Sequence, residues 1–313
     1  VSNSQKLVIA VCTRARKNML INCLSSINQL VKHPSFEISL VVCDNNSKPM
    51  PVLGQEDVQR ASEYPLTYVH EPEPGIPFAR NTAIQTARNL EPDWIAFVDD
   101  DEVIDAQWLI EMAQAMKLWP ADVYHGWTQS TPEDLNAPWA FHRPRNKRTL
   151  GTRMETAGTD NVLFSVNAVK GLNFDETMRF SGGTDIDFFY RATDRGATII
   201  WVPTAITREV TPLARLSFSY QVRRAYSVAS AQAYISRKRL GPQKAFKKAA
   251  PKAIGRILGG IAGNITSCII FIFHAEKGRK MMLSSSKKIA SAIGLLRGVN
   301  MNLGQIYQNI DGS

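Results

Sequence analysis

Residues Trp94–Glu102 read WIAFVDDDE, an apolar run that ends in four consecutive carboxylates. Carboxylates this close repel one another and raise one another's pKa, so packing alone gives no reason for the run. A positive partner fits it. Hard divalent cations take oxygen ligands, and a metal carrying a phosphate-rich ligand suits this set. A solvated acidic loop after a buried strand is the plainer alternative, because most charge runs are solvated faces. Two other apolar runs also end in polar residues: LVIAVCT (Leu7–Thr13) leads into Arg14, and ISLVVC (Ile38–Cys43) leads into Asp44-Asn45-Asn46-Ser47.

All three runs are short and apolar, and read as buried strands, with Leu66–His70 a further short one. Lys17–Val31 carries Leu20, Leu24, Ile27 and Val31 at helical spacing, and Pro77–Leu90 and Ala106–Leu118 also read as helices. The order β-α-β-β-α-β-α, with strands apolar throughout, predicts a mainly parallel sheet covered by helices. Ligands of such sheets bind beyond the carboxyl ends of the strands, so Thr13-Arg14, Asp44-Asn45 and Asp99–Glu102 are expected on one rim. Further along, Asp122–Trp127, Asn161–Val166 and Thr198–Val202 read as strands and Thr184–Arg195 as a helix. Thr131–Gly151, with Pro132, Pro138 and Pro144 and the basic cluster Arg143, Arg145, Lys147 and Arg148, reads as a loop. Beyond Pro212 the pattern is helical.

The chain has 313 residues, 44% of them hydrophobic, enough for a sizeable core. Its four cysteines show no CxxC spacing, and Cys12 and Cys43 sit inside strand-like runs, which suggests a reducing compartment. The opening residues carry no signal-peptide pattern, so none is expected. The five histidines are scattered without ligand spacing. The net charge of +9 is unevenly divided: residues 1–207 hold 19 Lys+Arg against 25 Asp+Glu, and residues 208–313 hold 18 against 3. An acidic first part with a basic tail implies an anionic partner for the tail: nucleic acid, a phospholipid surface or a phosphorylated substrate.

Five segments together resemble the family-2 glycosyltransferases of the GT-A fold, nearest to bacterial exopolysaccharide transferases of the succinoglycan type. They are VIAVCTRARKNML, ISLVVCDNNS, EPEPGIPFARNTA, WIAFVDDDEVIDAQWL and GGTDIDFFYRATDRG, and the likeness spans roughly residues 6–225. The resemblance implies a GT-A, Rossmann-like α/β domain over 1–212, followed by a helical, basic region over 213–313. By the same resemblance, Thr13, Arg14 and Asp44 meet the nucleotide base, and Arg80 and Asn81 approach the donor. Asp99, Asp100 and Asp101 would form the DxD element, with Asp99 and Asp101 toward a Mn²⁺ or Mg²⁺ that bridges the diphosphate. Glu102 would support them. Asp185 is the expected catalytic base, with Asp187 as the alternative.

Each role has a structural competitor. Thr13 could cap a turn, Asp44 could close an Asx-turn, and Arg80 could lie on a helix surface. Thr184-x-x-Asp187 could be a capping box, with Asp187 paired to Arg191 four residues on. The family usually reads Glu-Asp where this chain has Thr184-Asp185, so an inactive transferase-like scaffold is a further reading.

The tail holds Lys244, Lys247, Lys248 and Lys252 before AIGRILGGIAGNITSCIIFIF (Ala253–Phe273). It suggests helices lying on an anionic membrane, with a transmembrane span, a packed helical subdomain and a nucleic-acid-binding tail as alternatives. The expected protein is an inverting, metal-dependent transferase on the cytoplasmic face of the inner membrane. It would use a nucleotide-diphospho sugar, UDP-linked by this reading, and a glycan or polyprenyl-linked acceptor, with no nucleic-acid partner.

Overall fold

The structure is a computed structural model and describes residues 4–47, 57, 60–140 and 148–306. Arg143, Arg145 and Lys147 lie outside the described residues. The sheet is built around β1 (Gln5–Thr13), which pairs in parallel with β2 (Phe36–Asp44) on one side and β4 (Trp94–Asp99) on the other. Leu7 through Val11 are at most 1% exposed because both faces of β1 are covered. Leu7, Ile9 and Val11 pack with Leu20, Leu24 and Ile27 of α1 (Lys17–Asn28) and with Trp108 and Met112 of α3 (Trp108–Leu118). Val8 and Ala10 face the other way, toward Ala79, Ala83 and Ile84 of α2 (Ile76–Arg88) and Phe188 and Phe189 of α4 (Thr184–Asp194). Alternation of side chains along a strand thus divides one apolar run between two helical layers.

Among the described residues nine strands form one sheet in the order β3-β2-β1-β4-β8-β6-β9-β5, and β7 (Arg153–Met154) pairs with β9 off that path. The first four, including β3 (Leu66–His70), are parallel. Beyond them β8 (Asn161–Ser165) is antiparallel to β4 and to β6 (Val123–Pro132), and β9 (Ile199–Thr211) is parallel to β6. The parallel expectation therefore describes the first half, while the second half is mixed. The sequence pattern missed β5 (Glu102–Ile104), whose partner β9 is about a hundred residues away, and it undercounted β6 and β9. Part of the expected loop Thr131–Gly151 belongs to the end of β6.

After β9 come α5 (Leu213–Leu216), α6 (Phe218–Leu240), α7 (Pro242–Phe273) and α8 (Ala275–Val299). They pack through small residues: Ala229 and Ala233 of α6, Ala245, Ala249 and Ala253 of α7, and Ala292 of α8. On its other side α6 docks on the sheet domain through Ala231, Tyr234 and Ile235 against Met178. Lys238 adds an ion pair to Asp175 at 2.7 Å, and Arg239 one to Asp194 at 2.6 Å.

The approach of α6 to α8 is closest at two glycines. A Cβ on Gly294 would collide with the Tyr226 carbonyl, and one on Gly298 with the Ser230 carbonyl, both backbone atoms that cannot swing aside. Gly298→Ala should lower stability by about 1–3 kcal/mol through overpacking. Gly259→Ala, in the interior of α7 where a Cβ meets nothing within 4 Å, should instead raise it by about 0.5–1 kcal/mol. Urea midpoints of the two variants check this; equal shifts would contradict the close approach.

Candidate active site

The register of the central strands sets the rim. Thr13 lies opposite Asp44, Cys12 opposite Asp99, and Val98 opposite Asn161. Chain reversal between β4 and β5 then places four carboxylates in different surroundings. Asp100 turns inward: its Oδ2 accepts from the Thr13 hydroxyl at 2.7 Å and its Oδ1 from Arg16 Nη1 at 2.9 Å. Only 4% of it is exposed. Burial raises its pKa, and Arg16 and Thr13 pull against that rise. Burial also works against the Arg16 charge, but Asp100 and Asp101 outweigh it and hold the guanidinium above its usual range. Asp101 lies 3.4 Å from Arg16 and 3.6 Å from Arg215.

Asp99 points into a cleft of about 840 Å³. Its side chain is 44% exposed, into that cleft, and is still ringed by protein. Burial pushes its carboxyl up to about 8; Arg80, at 3.9 Å, pulls down, and Asp101 and Asp160 push further up. Behind it Glu102 is 1% exposed and accepts from the Asp99 N–H at 3.3 Å. Its other oxygen has no hydrogen-bond partner among the described residues. Burial first, and Asp99 and Asp160 next, hold Glu102 well above the carboxylate range.

The opposite wall is the start of α4. Gly183 caps this helix in the left-handed region, at φ 92°, and the Thr184 hydroxyl accepts from Arg80 Nη1 at 2.7 Å. Thr184 makes no capping box, because Gly183 holds the cap position, Thr184 is the first residue inside the helix, and no side chain caps it. Asp185 follows and lines the cleft. Its carboxyl is raised by burial and by Asp160, with Arg80 acting against the rise. Asp160 sits at the beginning of β8. Burial works to raise it, but His125, 3.8 Å away, and Thr128 bring it down to about 2.

Of the residues singled out in the sequence, Thr13, Arg14, Arg80, Asp99, Asp100, Asp101 and Asp185 line this one cleft. Arg14 stands 6.0 Å from the Phe180 ring with its Nε buried and unpartnered among the described residues. Burial and then Arg179 lower its pKa, so an anion there would be welcome.

Three others are not brought to the wall. Asp44 accepts from the Asn46 N–H at 3.1 Å and the Tyr68 hydroxyl at 2.8 Å, which is the Asx-turn. Asn81 clamps the segment before α4, accepting from the Phe174 N–H at 2.7 Å and donating to the Phe174 carbonyl at 3.1 Å. Asp187 is 2% exposed and held by Arg191 at 2.8 Å and Lys238 at 3.6 Å, so it ties α4 to α6. Arg16, Asp160 and Arg215 line the cleft without having been singled out as site residues. Arg16 had a signal, as the second basic residue after β1. Asp160 had one only if β8 is antiparallel, which puts its first residues on the same rim as the last residues of β4.

The donor set fits a divalent metal by its chemistry: Asp99 and Asp101 offer hard oxygens, and Glu102 leaves one buried oxygen orphaned behind them. Among the described residues no three His, Cys, Asp or Glu side chains converge into a finished cage. That suits a cation such as Mg²⁺, which is usually held by one or two carboxylates and completed by substrate phosphates.

Residues 8–175 match the family Glycosyl transferase family 2, just over half of the chain. The succinoglycan biosynthesis protein ExoM of Rhizobium meliloti (strain 1021) is 28% identical over 224 residues, 70% of this chain and 71% of that protein. Among solved structures, the mannosyltransferase PcManGT from Pyrobaculum calidifontis, in complex with GDP-Man and Mn²⁺, superposes with a TM-score of 0.57 at 17% identity. It covers 94% of this chain and 88% of its own. TarS 1-349 of S. aureus in complex with UDP gives 0.51 at 12% identity, over 93% and 91%. A longer TarS chain gives 0.51 at 15% identity; that match covers 74% of this chain and only 42% of that one's length. At such identities the structural likeness speaks to the GT-A fold. With the family match over the strands that build the rim, the chain belongs to glycosyl transferase family 2 and is a glycosyltransferase.

Proposed function

We propose that the protein is an inverting, metal-dependent transferase that moves a sugar from a nucleotide-diphospho sugar, most simply a UDP-sugar, to a glycan or polyprenyl-linked acceptor. The observation that carries this is one cleft lined both by the carboxylate turn Asp99–Asp101 and by Asp185 at a helix start. The likeness to ExoM supports a role in surface or exopolysaccharide synthesis.

Asp101 and Asp99 would hold Mn²⁺ or Mg²⁺, which when bound neutralises charge on the leaving nucleoside diphosphate. Arg14, whose Nε has no partner among the described residues, and Arg80 would meet donor oxygens from the cleft wall. Asp185 takes the proton from the acceptor hydroxyl. That oxygen attacks the anomeric carbon as the bond to the phosphate oxygen breaks, so one displacement inverts the configuration. A raised pKa makes Asp185 a stronger base than a solvated carboxylate. Thr184, where the family usually has Glu, serves here as the acceptor that fixes Arg80.

The helical region, taken as residues 213–313, would bring this chemistry to the cytoplasmic face of a membrane. Among the described residues α7 is the one helix long and apolar enough to cross a bilayer, and its apolar window is only 11% buried. Ile254, Leu258, Ile261, Ile265, Ile269 and Ile272 are all exposed and recur every three or four residues, so they share one face. The opposite face, Ala249, Ala253, Gly260 and Ser267, is the buried one. Large side chains outside and small ones inside suit a helix lying in lipid, with Lys244, Lys247, Lys248 and Lys252 exposed near its start to meet anionic headgroups.

Asp185→Asn should lower the turnover number about 10²- to 10⁴-fold while donor affinity changes little. The wild-type rate should fall on the acid side, and at a pH above the ordinary carboxylate range, because the raised Asp185 must be ionised to accept a proton. A sugar-transfer assay with UDP- and GDP-sugars and Mn²⁺ checks both; full turnover in the variant would remove Asp185 from the chemistry. In flotation, the protein should rise with phosphatidylglycerol vesicles at low salt, and the triple variant Ile265→Ser, Ile269→Ser, Ile272→Ser should stay at the bottom. Wild type remaining at the bottom would contradict the membrane reading.

A further inference from the structure

A second cavity, of about 440 Å³, adjoins the active cleft and shares Ser130, Arg215 and Arg224 with it. Its lining differs from its neighbour's in one respect. The cleft mixes acids, among them Asp99, Asp101, Asp160 and Asp185, with arginines such as Arg14, Arg16 and Arg80, whereas no Asp or Glu lines the second cavity among the described residues. Four cationic side chains do: Arg215 and Arg224 near the cleft, and Arg256 and Lys287 from the paired helices α7 and α8. Arg256 is set in place by a hydrogen bond from its Nη1 to Ser291 Oγ at 3.2 Å, across the α7–α8 seam. Trp139 lies on the wall with its ring 4.9 Å from Phe218, a flat surface of the kind on which sugars stack. A concave site with four cations, no acid and an aromatic wall selects an anion joined to something with an apolar face.

We propose that this second cavity is the acceptor's anchoring site and takes a diphosphate attached to the acceptor sugar. The sugar then reaches past Arg215 toward Asp185, and the diphosphate is held by Arg224, Arg256 and Lys287. This rests on the transferase reading above and adds to it the chemical class of the acceptor. Arg215 joins the two sites, because it pairs with Asp101 at 3.6 Å and also lines the second cavity. The cavity is closed partly by α7, whose outer face is the apolar stripe, so an acceptor carried on a lipid would have its diphosphate and its chain served by the same helix.

Calorimetric titration with inorganic pyrophosphate and with farnesyl diphosphate, both in EDTA, tests the assignment on wild type and on Arg256→Ala/Lys287→Ala. Removal of two cations should weaken pyrophosphate binding by about tenfold or more. Mn²⁺-dependent nucleoside diphosphate binding, in the first cleft, which neither Arg256 nor Lys287 lines, should stay within about twofold and also reports that the variant is folded. Tighter binding of farnesyl diphosphate than of pyrophosphate supports a lipid-linked acceptor; equal affinity supports a soluble phosphate-bearing one. Pyrophosphate binding that is absent in wild type, or unchanged in the variant, overturns the anchoring site. Wild type that binds pyrophosphate as expected but no nucleoside diphosphate with Mn²⁺ would instead overturn the transferase reading and leave the anion site standing.

Discussion

The clamp on Asp100 is the constraint on which the site depends. A buried carboxylate is costly unless it is paired and hydrogen-bonded, and here the Thr13 hydroxyl and the Arg16 guanidinium take both oxygens. These partners come from the end of β1 and the segment just after it, while Asp100 follows β4, so the clamp exists only because the two strands run parallel and in register. With Asp100 fixed inward, Asp99 and Asp101 on either side of it line the cleft. The clamp neutralises one carboxylate and leaves the others crowded. Burial first, and the neighbouring carboxylates after it, raise the pKa values of Asp99 and Glu102, and a divalent cation is the simplest species to relieve that crowding.

Much of this was legible in the chain. The apolar runs of β1, β2 and β4 and the polar residues ending them identified the rim, because strand periodicity and strand-end chemistry are local properties. Asp160 was hidden for a topological reason. A reading that assumes parallel strands looks for ligands only at carboxyl ends, and β8 is reversed, so its amino end reaches the rim. Asp44, Asn81 and Asp187 show the other limit. Each is a polar residue at a suggestive position, and each makes its contacts away from the cleft wall: an Asx-turn, a loop clamp and an ion pair between helices. Which polar side chain faces a cleft and which closes a turn depends on partners that sequence spacing does not display.

The uneven charge of the chain now has a spatial meaning. The acidic part builds a cleft suited to a cation, and the basic part builds helices whose inner side meets that cleft and whose outer side is apolar. Arg215 stands where they join, paired with Asp101 on one side and lining the cationic cavity on the other.

The most direct test of the central claim is calorimetric binding of UDP and GDP with Mn²⁺ and with EDTA, on wild type and on Asp101→Ala. If Asp99 and Asp101 seat a metal-bound diphosphate, one nucleotide binds wild type with Mn²⁺, binding collapses in EDTA, and Asp101→Ala loses it in both conditions. Equal affinity with and without metal, or Mn²⁺-dependent binding that survives Asp101→Ala, would contradict it.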